Sequence, residues 1–188
     1  MNIENVESPI RFHLHGVGGV VENERYAEVG FRPMNEIWLA VKRAEVPTMG
    51  IQHWFYLPDD RMFVGVELRS PQSSPTPDPL EPLEFELRRY TKHVHVGPYR
   101  TLPQKWKELK AEIAARGEVI GSPSLEVYGH HCDDPSKSET TILIGLRAKS
   151  ARSCRARATA GSPTAHHPLT SPADPRRPWG HPSPLRLP

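Results

Sequence analysis

Cysteine is scarce. Cys132 and Cys154 are the only two in 188 residues, which excludes a disulfide framework and points to a reducing compartment. Long apolar runs are missing too, and none approaches the roughly 18 residues that a membrane-spanning helix needs. The first residues, MNIENVESPIRF, are polar and acidic, unlike a signal peptide. These absences lead to the expectation of a soluble cytoplasmic chain with no membrane partner. A net excess of either charge is nearly absent as well, at +2 overall. The balance is uneven, however. Residues 151–188 hold six Arg and one Asp, a net +5, whereas the first 150 residues hold 18 Lys plus Arg against 21 Asp plus Glu, a net −3. A mildly acidic body lacks the clustered cations that phosphate backbones require, so direct DNA binding is not expected.

Proline is plentiful in two places. SPQSSPTPDPLEPL (70–83) has five prolines in 14 residues and reads as an extended linker. The stretch 150–188 is rich in Pro, Arg and Ala and offers little apolar surface to offset the entropy of ordering, so it reads as a disordered tail. Between these breaks, two halves look alike. In the first, RYAEVG (25–30) reads as a strand, Met34, Ile37, Trp38 and Val41 fall at helical spacing, and GIQHWFYL (50–57) and RMFVGVEL (61–68) read as strands. In the second, FELRRYTKHVHVG (85–97) reads as one long strand. Leu102, Trp106, Leu109 and Ile113 share a helix face with Gly117 as C-cap, and SLEVYGHH (124–131) and TTILIGL (140–146) follow as strands. Aligning Val29-Gly30 with Val96-Gly97, Trp38 with Trp106, Tyr56 with Tyr128 and Gly65 with Gly145 predicts a duplicated strand–helix–strand–strand unit. The expected fold is α+β. One domain spans 1–149, with repeat one at about 9–69, the linker at 70–83 and repeat two at 84–149.

Strand alternation sorts the candidate site residues. Leu125 and Val127 should point towards the helix carrying Trp106. Glu126 and Tyr128, with Trp54 and Tyr56 from the first half, should line a surface facing away from the helices. Aromatic faces around one carboxylate suit a flat or cationic ligand, and a desolvated carboxylate also suits general-acid work. Trp38 and Trp106 sit among aliphatic partners and read as core. Tyr99 follows a Gly-Pro turn, where it either reaches the groove mouth or caps the helix start. Glu67 either faces the groove or solvent. His13-Leu-His15 and His93-Val-His95 put two imidazoles on one strand face, but no Cys-x-x-Cys or His-Glu-x-x-His pattern supports a metal, and none is expected. No cofactor is expected either. Gly16-Val-Gly18-Gly19 lacks a following helix and the dinucleotide-binding spacing, so it reads as a turn or bulge. Cys132 lies beside two aspartates, which disfavours a thiolate nucleophile.

The run Tyr90-Thr-Lys-His-Val-His95-Val-Gly97-Pro98-Tyr99, the Trp-bearing helix after it, and Ser124-Leu-Glu126-Val-Tyr128 resemble the GyrI-like small-molecule-binding domains. These are similar to the effector-binding domains of AraC- and MerR-type multidrug regulators. Glu36-Ile-Trp38 and Phe63-Val-Gly65-Val resemble the first-repeat signatures of stand-alone members. The resemblance covers about residues 9 to 147. It implies an antiparallel sheet with two helices and a central groove for small aromatic or cationic compounds, and an acidic position on the last strand that either Glu139 or Thr141 occupies; with Thr141 there, the carboxylate of the cation-binding members is missing. The ligand-binding set expected on these grounds is Trp54, Tyr56, Glu67, Tyr99, Glu126, Tyr128 and Glu139. The resemblance implies three functions: sensing or sequestering a lipophilic compound, hydrolysis of reactive small molecules with Glu126 as the catalytic acid or base, and modulation of a protein partner in the manner of gyrase-inhibitory proteins.

Overall fold

The structure is a computed structural model and describes residues 3–23, 25–70, 76–130 and 132–148. The tail expected beyond residue 149, with Cys154, and residues 71–75 of the Pro-rich linker lie outside the described residues. The elements run β1 (Glu4–Val6), β2 (Ile10–Val20), α1 (Tyr26–Phe31), α2 (Met34–Arg43), β3 (Thr48–Leu57), β4 (Arg61–Leu68), β5 (Glu81–Leu87), β6 (Tyr90–Val96), α3 (Leu102–Ala115), β7 (Ile120–Tyr128) and β8 (Glu139–Leu146). Short 3-10 turns precede α3 at Tyr99–Thr101 and β8 at Pro135–Lys137. The strands form one antiparallel sheet in the order β1-β6-β8-β7-β3-β4-β2-β5. This is the expected α+β architecture.

The sheet must curl. β5 and β6 stand six strand spacings apart in this order, roughly 29 Å in a flat sheet at about 4.8 Å per strand. Only Arg88 and Arg89 join them, and three Cα–Cα steps reach about 11 Å. The curl brings rings from distant strands together on the inner face: Phe12 of β2 and Phe85 of β5 both pack edge-on against Phe55 of β3, at 5.6 and 5.4 Å between centroids. Leu125, Leu143, Phe63, Leu87 and Tyr90 complete this inner core. Arg89 pins the seam. Its guanidinium donates to Glu7, to Glu118 and to the Arg147 carbonyl.

The outer face carries the helices in two separate clusters. Ile37, Ala40 and Val41 of α2 pack on Val64, Val66 and Leu68, and Leu109 and Ile113 of α3 pack on Ile142 and Ile144. Burial of each such aliphatic side chain contributes on the order of 2 kcal/mol. Both helices end in the same reverse turn. Gly117 N–H bonds Ala114 O and Glu118 N–H bonds Ile113 O, while Glu45 N–H bonds Lys42 O and Val46 N–H bonds Val41 O.

Several expectations need correction. RYAEVG is the helix α1, not a strand. Val29 N–H and Arg32 N–H bond the carbonyls four residues back, and Arg25 pairs with Glu28 at 2.7 Å. The true first strand of the first half is β2, inside which Gly16-Val-Gly18-Gly19 lies. Gly16 is tolerated there because a Cβ would sit 1.9 Å from the Val64 carbonyl oxygen of the neighbouring strand. The stretch 85–97 is two strands broken at Arg88-Arg89, and β5 already begins at Glu81, within the expected linker. Register also revises the alignment. β2 pairs with β4 as β6 pairs with β8, so Val20 corresponds to Val96 and Gly65 corresponds to Leu143. Tyr56 with Tyr128 and Trp54 with Glu126 remain equivalent.

Candidate functional site

Between the two helical clusters, the centre of the outer face is filled by aromatic rings and one carboxylate. β3 and β7 pair antiparallel with Trp54 opposite Glu126. Because these two residues are also equivalent between the halves, the pseudo-two-fold axis passes between them. Glu126 is 2% exposed and Trp54 4%. One Glu126 oxygen accepts from Trp106 Nε1 and the other from the Tyr128 hydroxyl, both at 2.5 Å. Burial, and then the charge of Glu126, push the Tyr128 hydroxyl far above its ordinary range, and the same causes raise Tyr56. Both phenols therefore stay protonated and act as donors.

Two chains of edge-to-face rings enclose the carboxylate. Phe31, Trp54, Tyr128 and Tyr99 follow one another at 5.0, 5.1 and 5.3 Å between centroids. Tyr26, Tyr56 and Trp106 form the second chain at 5.5 and 5.3 Å. The ends of the first chain reach the surface, with Phe31 at 55% and Tyr99 at 42% exposure. They are counterparts, each three residues before the start of its helix, α2 or α3. Gly30 seats the Trp54 indole, since a Cβ there would lie 2.5 Å from Cη2.

The structure thus brings together Trp54, Tyr56, Tyr99, Glu126 and Tyr128, but on the helix-bearing face rather than away from the helices. It is Leu125 and Val127 that face the inner core. Central strands of this sheet are apolar on both faces, so alternation groups residues without saying which group meets the helices. Two expected members lie elsewhere. Glu67 shares the inner face with Phe63 and is half-buried there, its carboxyl raised by desolvation. Glu139 is exposed and Thr141 half-buried, and both alternate with the helix-facing Thr140, Ile142 and Ile144. The glutamate on β7, not one on β8, supplies the enclosed carboxylate.

Sequence reasoning missed three participants. Trp106 is a donor to Glu126 rather than a plain core residue, Tyr26 comes from the stretch misread as a strand, and Phe31 follows that stretch directly. The spacing Phe31-Arg32 to Tyr99-Arg100, equal to that of Trp38 to Trp106, is the signal that could have found Phe31. The His-x-His pairs do not assemble a metal centre: His13 faces Glu84 at 3.4 Å, His95 Nε2 meets Thr101 Oγ1 at 2.9 Å, and no group of three or more ligand residues occurs among the described residues. No helix among them is long and apolar enough to cross a membrane.

Residues 58–147 match the family model of the GyrI-like small molecule binding domain. This segment is similar to the GyrI-like domains. The likeness in fold extends further along the chain. The EcmrR C-terminal domain superposes with TM-score 0.58 at 12% identity, covering 78% of this chain and 99% of that one. SAV2435 bound to tetraphenylphosphonium gives 0.54 at 16% identity over 78% and 93%. A conserved protein from Listeria innocua gives 0.51 at 14% identity over 77% and 92%. No curated protein sequence matches the chain. Glu126 and Tyr128 of β7 lie within the matched segment.

Proposed function

We propose that this chain binds lipophilic aromatic cations around Glu126, as a sensing or sequestering domain without direct contact to DNA. One observation carries the reading. A buried carboxylate has both oxygens bonded to neutral donors, and among the described residues no cation pairs with it. A negative charge walled by aromatic rings and lacking a counterion is stabilised by a cation that brings its own apolar surface. SAV2435, of similar fold, is bound to tetraphenylphosphonium, which supports the same ligand class here. The cluster is closed, so entry requires displacement of an exposed terminal ring, Phe31 or Tyr99.

The test is isothermal titration of the full-length protein with tetraphenylphosphonium. Binding should weaken at least tenfold in Glu126→Gln, about 1.4 kcal/mol, with the fold intact by circular dichroism. Undiminished binding in that variant would refute the role of Glu126. If no cation binds but an uncharged aromatic does, the ligand class is wrong while the site stands.

A further inference from the structure

The ring cluster around Glu126 holds more polarity than a simple cation needs. Gln52 Nε2, Trp54 Nε1 and Thr140 Oγ1 are buried without a hydrogen-bond partner among the described residues, in side chains more than nine-tenths buried. All three belong to the helix-bearing face beside the carboxylate. Trp54 is the register partner of Glu126, and Thr140 that of Tyr128. Gln52 lies two residues before Trp54 on the same face of β3, opposite Val66 of β4. Indole and amide nitrogens only donate, and the threonine hydroxyl donates or accepts. A buried donor left without an acceptor carries its whole desolvation cost, so native proteins keep few of them. His53 Nδ1 is likewise unpaired on the opposite face, and His15 Nδ1 on β2, beyond Val66 of β4, but the three on β3 and β8 share the helix-bearing face with Glu126, and Trp54 stands directly opposite it.

We propose that the ligand this site selects is an aromatic cation that also carries a hydrogen-bond acceptor, such as a carbonyl, beside its charged centre. The acceptor meets Trp54 Nε1 and Gln52 Nε2 while Glu126 faces the charge. This rests on the reading of Glu126 as the cation's partner and adds a selection to it. A cation without an acceptor, tetraphenylphosphonium included, leaves the donors buried and unpaired and is bound less tightly. A site built to hydrogen-bond its ligand discriminates far more strongly than an apolar pocket judging size alone.

The experiment titrates the full-length protein with two cations of like size and equal charge, (4-acetylbenzyl)triphenylphosphonium and (4-isopropylbenzyl)triphenylphosphonium. The acetyl compound should bind at least about tenfold more tightly, and Gln52→Met should reduce that preference to a few-fold. The Trp54 indole N–H resonance, assigned through Trp54→Phe, should move downfield with the acetyl compound alone. Without ligand, Gln52→Met and Thr140→Val should each raise Tm by roughly 2–4 °C, because each removes a buried polar group that nothing satisfies. Equal affinity for the two cations, both weakened by Glu126→Gln, overturns this proposal and leaves the cation reading standing. Binding of neither removes both. A lower Tm in Gln52→Met and Thr140→Val shows that these groups are already satisfied without ligand, and also overturns it.

Discussion

The two halves of the sheet have the same plan and different chemistry at equivalent places. Across the pseudo-two-fold axis the second half puts Glu126 where the first puts Trp54, and both keep a tyrosine two residues on. Trp106 of α3 donates to the carboxylate, whereas Trp38 of α2 packs on an aliphatic cluster. On the inner face the first half buries His53 where the second buries Leu125. At the helix ends the first half holds Glu45 at φ 53 where the second has Gly117 at φ 70. Duplication supplies a symmetric frame, and a carboxylate from one half enclosed by rings from both makes a site that neither half holds alone.

Substitutions that make the halves alike test how much their differences matter. The largest effect is expected at His53. Burial holds its imidazole down at about 4, against 6.5 unfolded. The unfolded chain therefore binds the proton first, and stability falls as pH drops from about 6.5 towards about 4. The loss is about 3 kcal/mol at the lower limit. His53→Leu copies the second half, should remove this acid lability and also removes an unpartnered Nδ1; urea melts at pH 7 and pH 4.5 test it, and an unchanged pH dependence would rule His53 out as its source. Next comes the tryptophan pair. Trp106→Phe deprives a buried carboxylate oxygen of its donor and should cost about 1–3 kcal/mol, whereas Trp38→Phe, which breaks no side-chain hydrogen bond to the site, should cost less. Equal costs in denaturant melts would contradict the functional difference between the two. The smallest effect is at the caps. Glu45→Gly should stabilise by about 0.5–1 kcal/mol, by relieving a left-handed conformation that a side chain disfavours. A loss of stability there would mean that Glu45 makes a contribution outweighing its backbone conformation.

Much of this was legible in the residues. Leu102, Trp106, Leu109 and Ile113 lie on one helix because their spacing is helical, and Gly117 caps it because glycine enters the left-handed region freely. Glu126, Tyr128, Trp54 and Tyr56 were grouped correctly because side chains alternate along any strand. β2 was read as strand only around His13 and His15 because its three glycines hide the rest of the signal, and α1 was missed because six residues are too few for a helical period to stand out from alternation.

The local units, their duplication and the sorting of side chains onto two faces follow from backbone geometry and spacing within one segment. Which face received the helices, that Trp106 and Phe31 join the rings around Glu126, and that Glu67 and Glu139 do not, came from the folding of the whole sheet. Those outcomes depend on strand register and on the curl that a two-residue connection forces on eight strands, and both are settled by contacts between residues far apart in the chain.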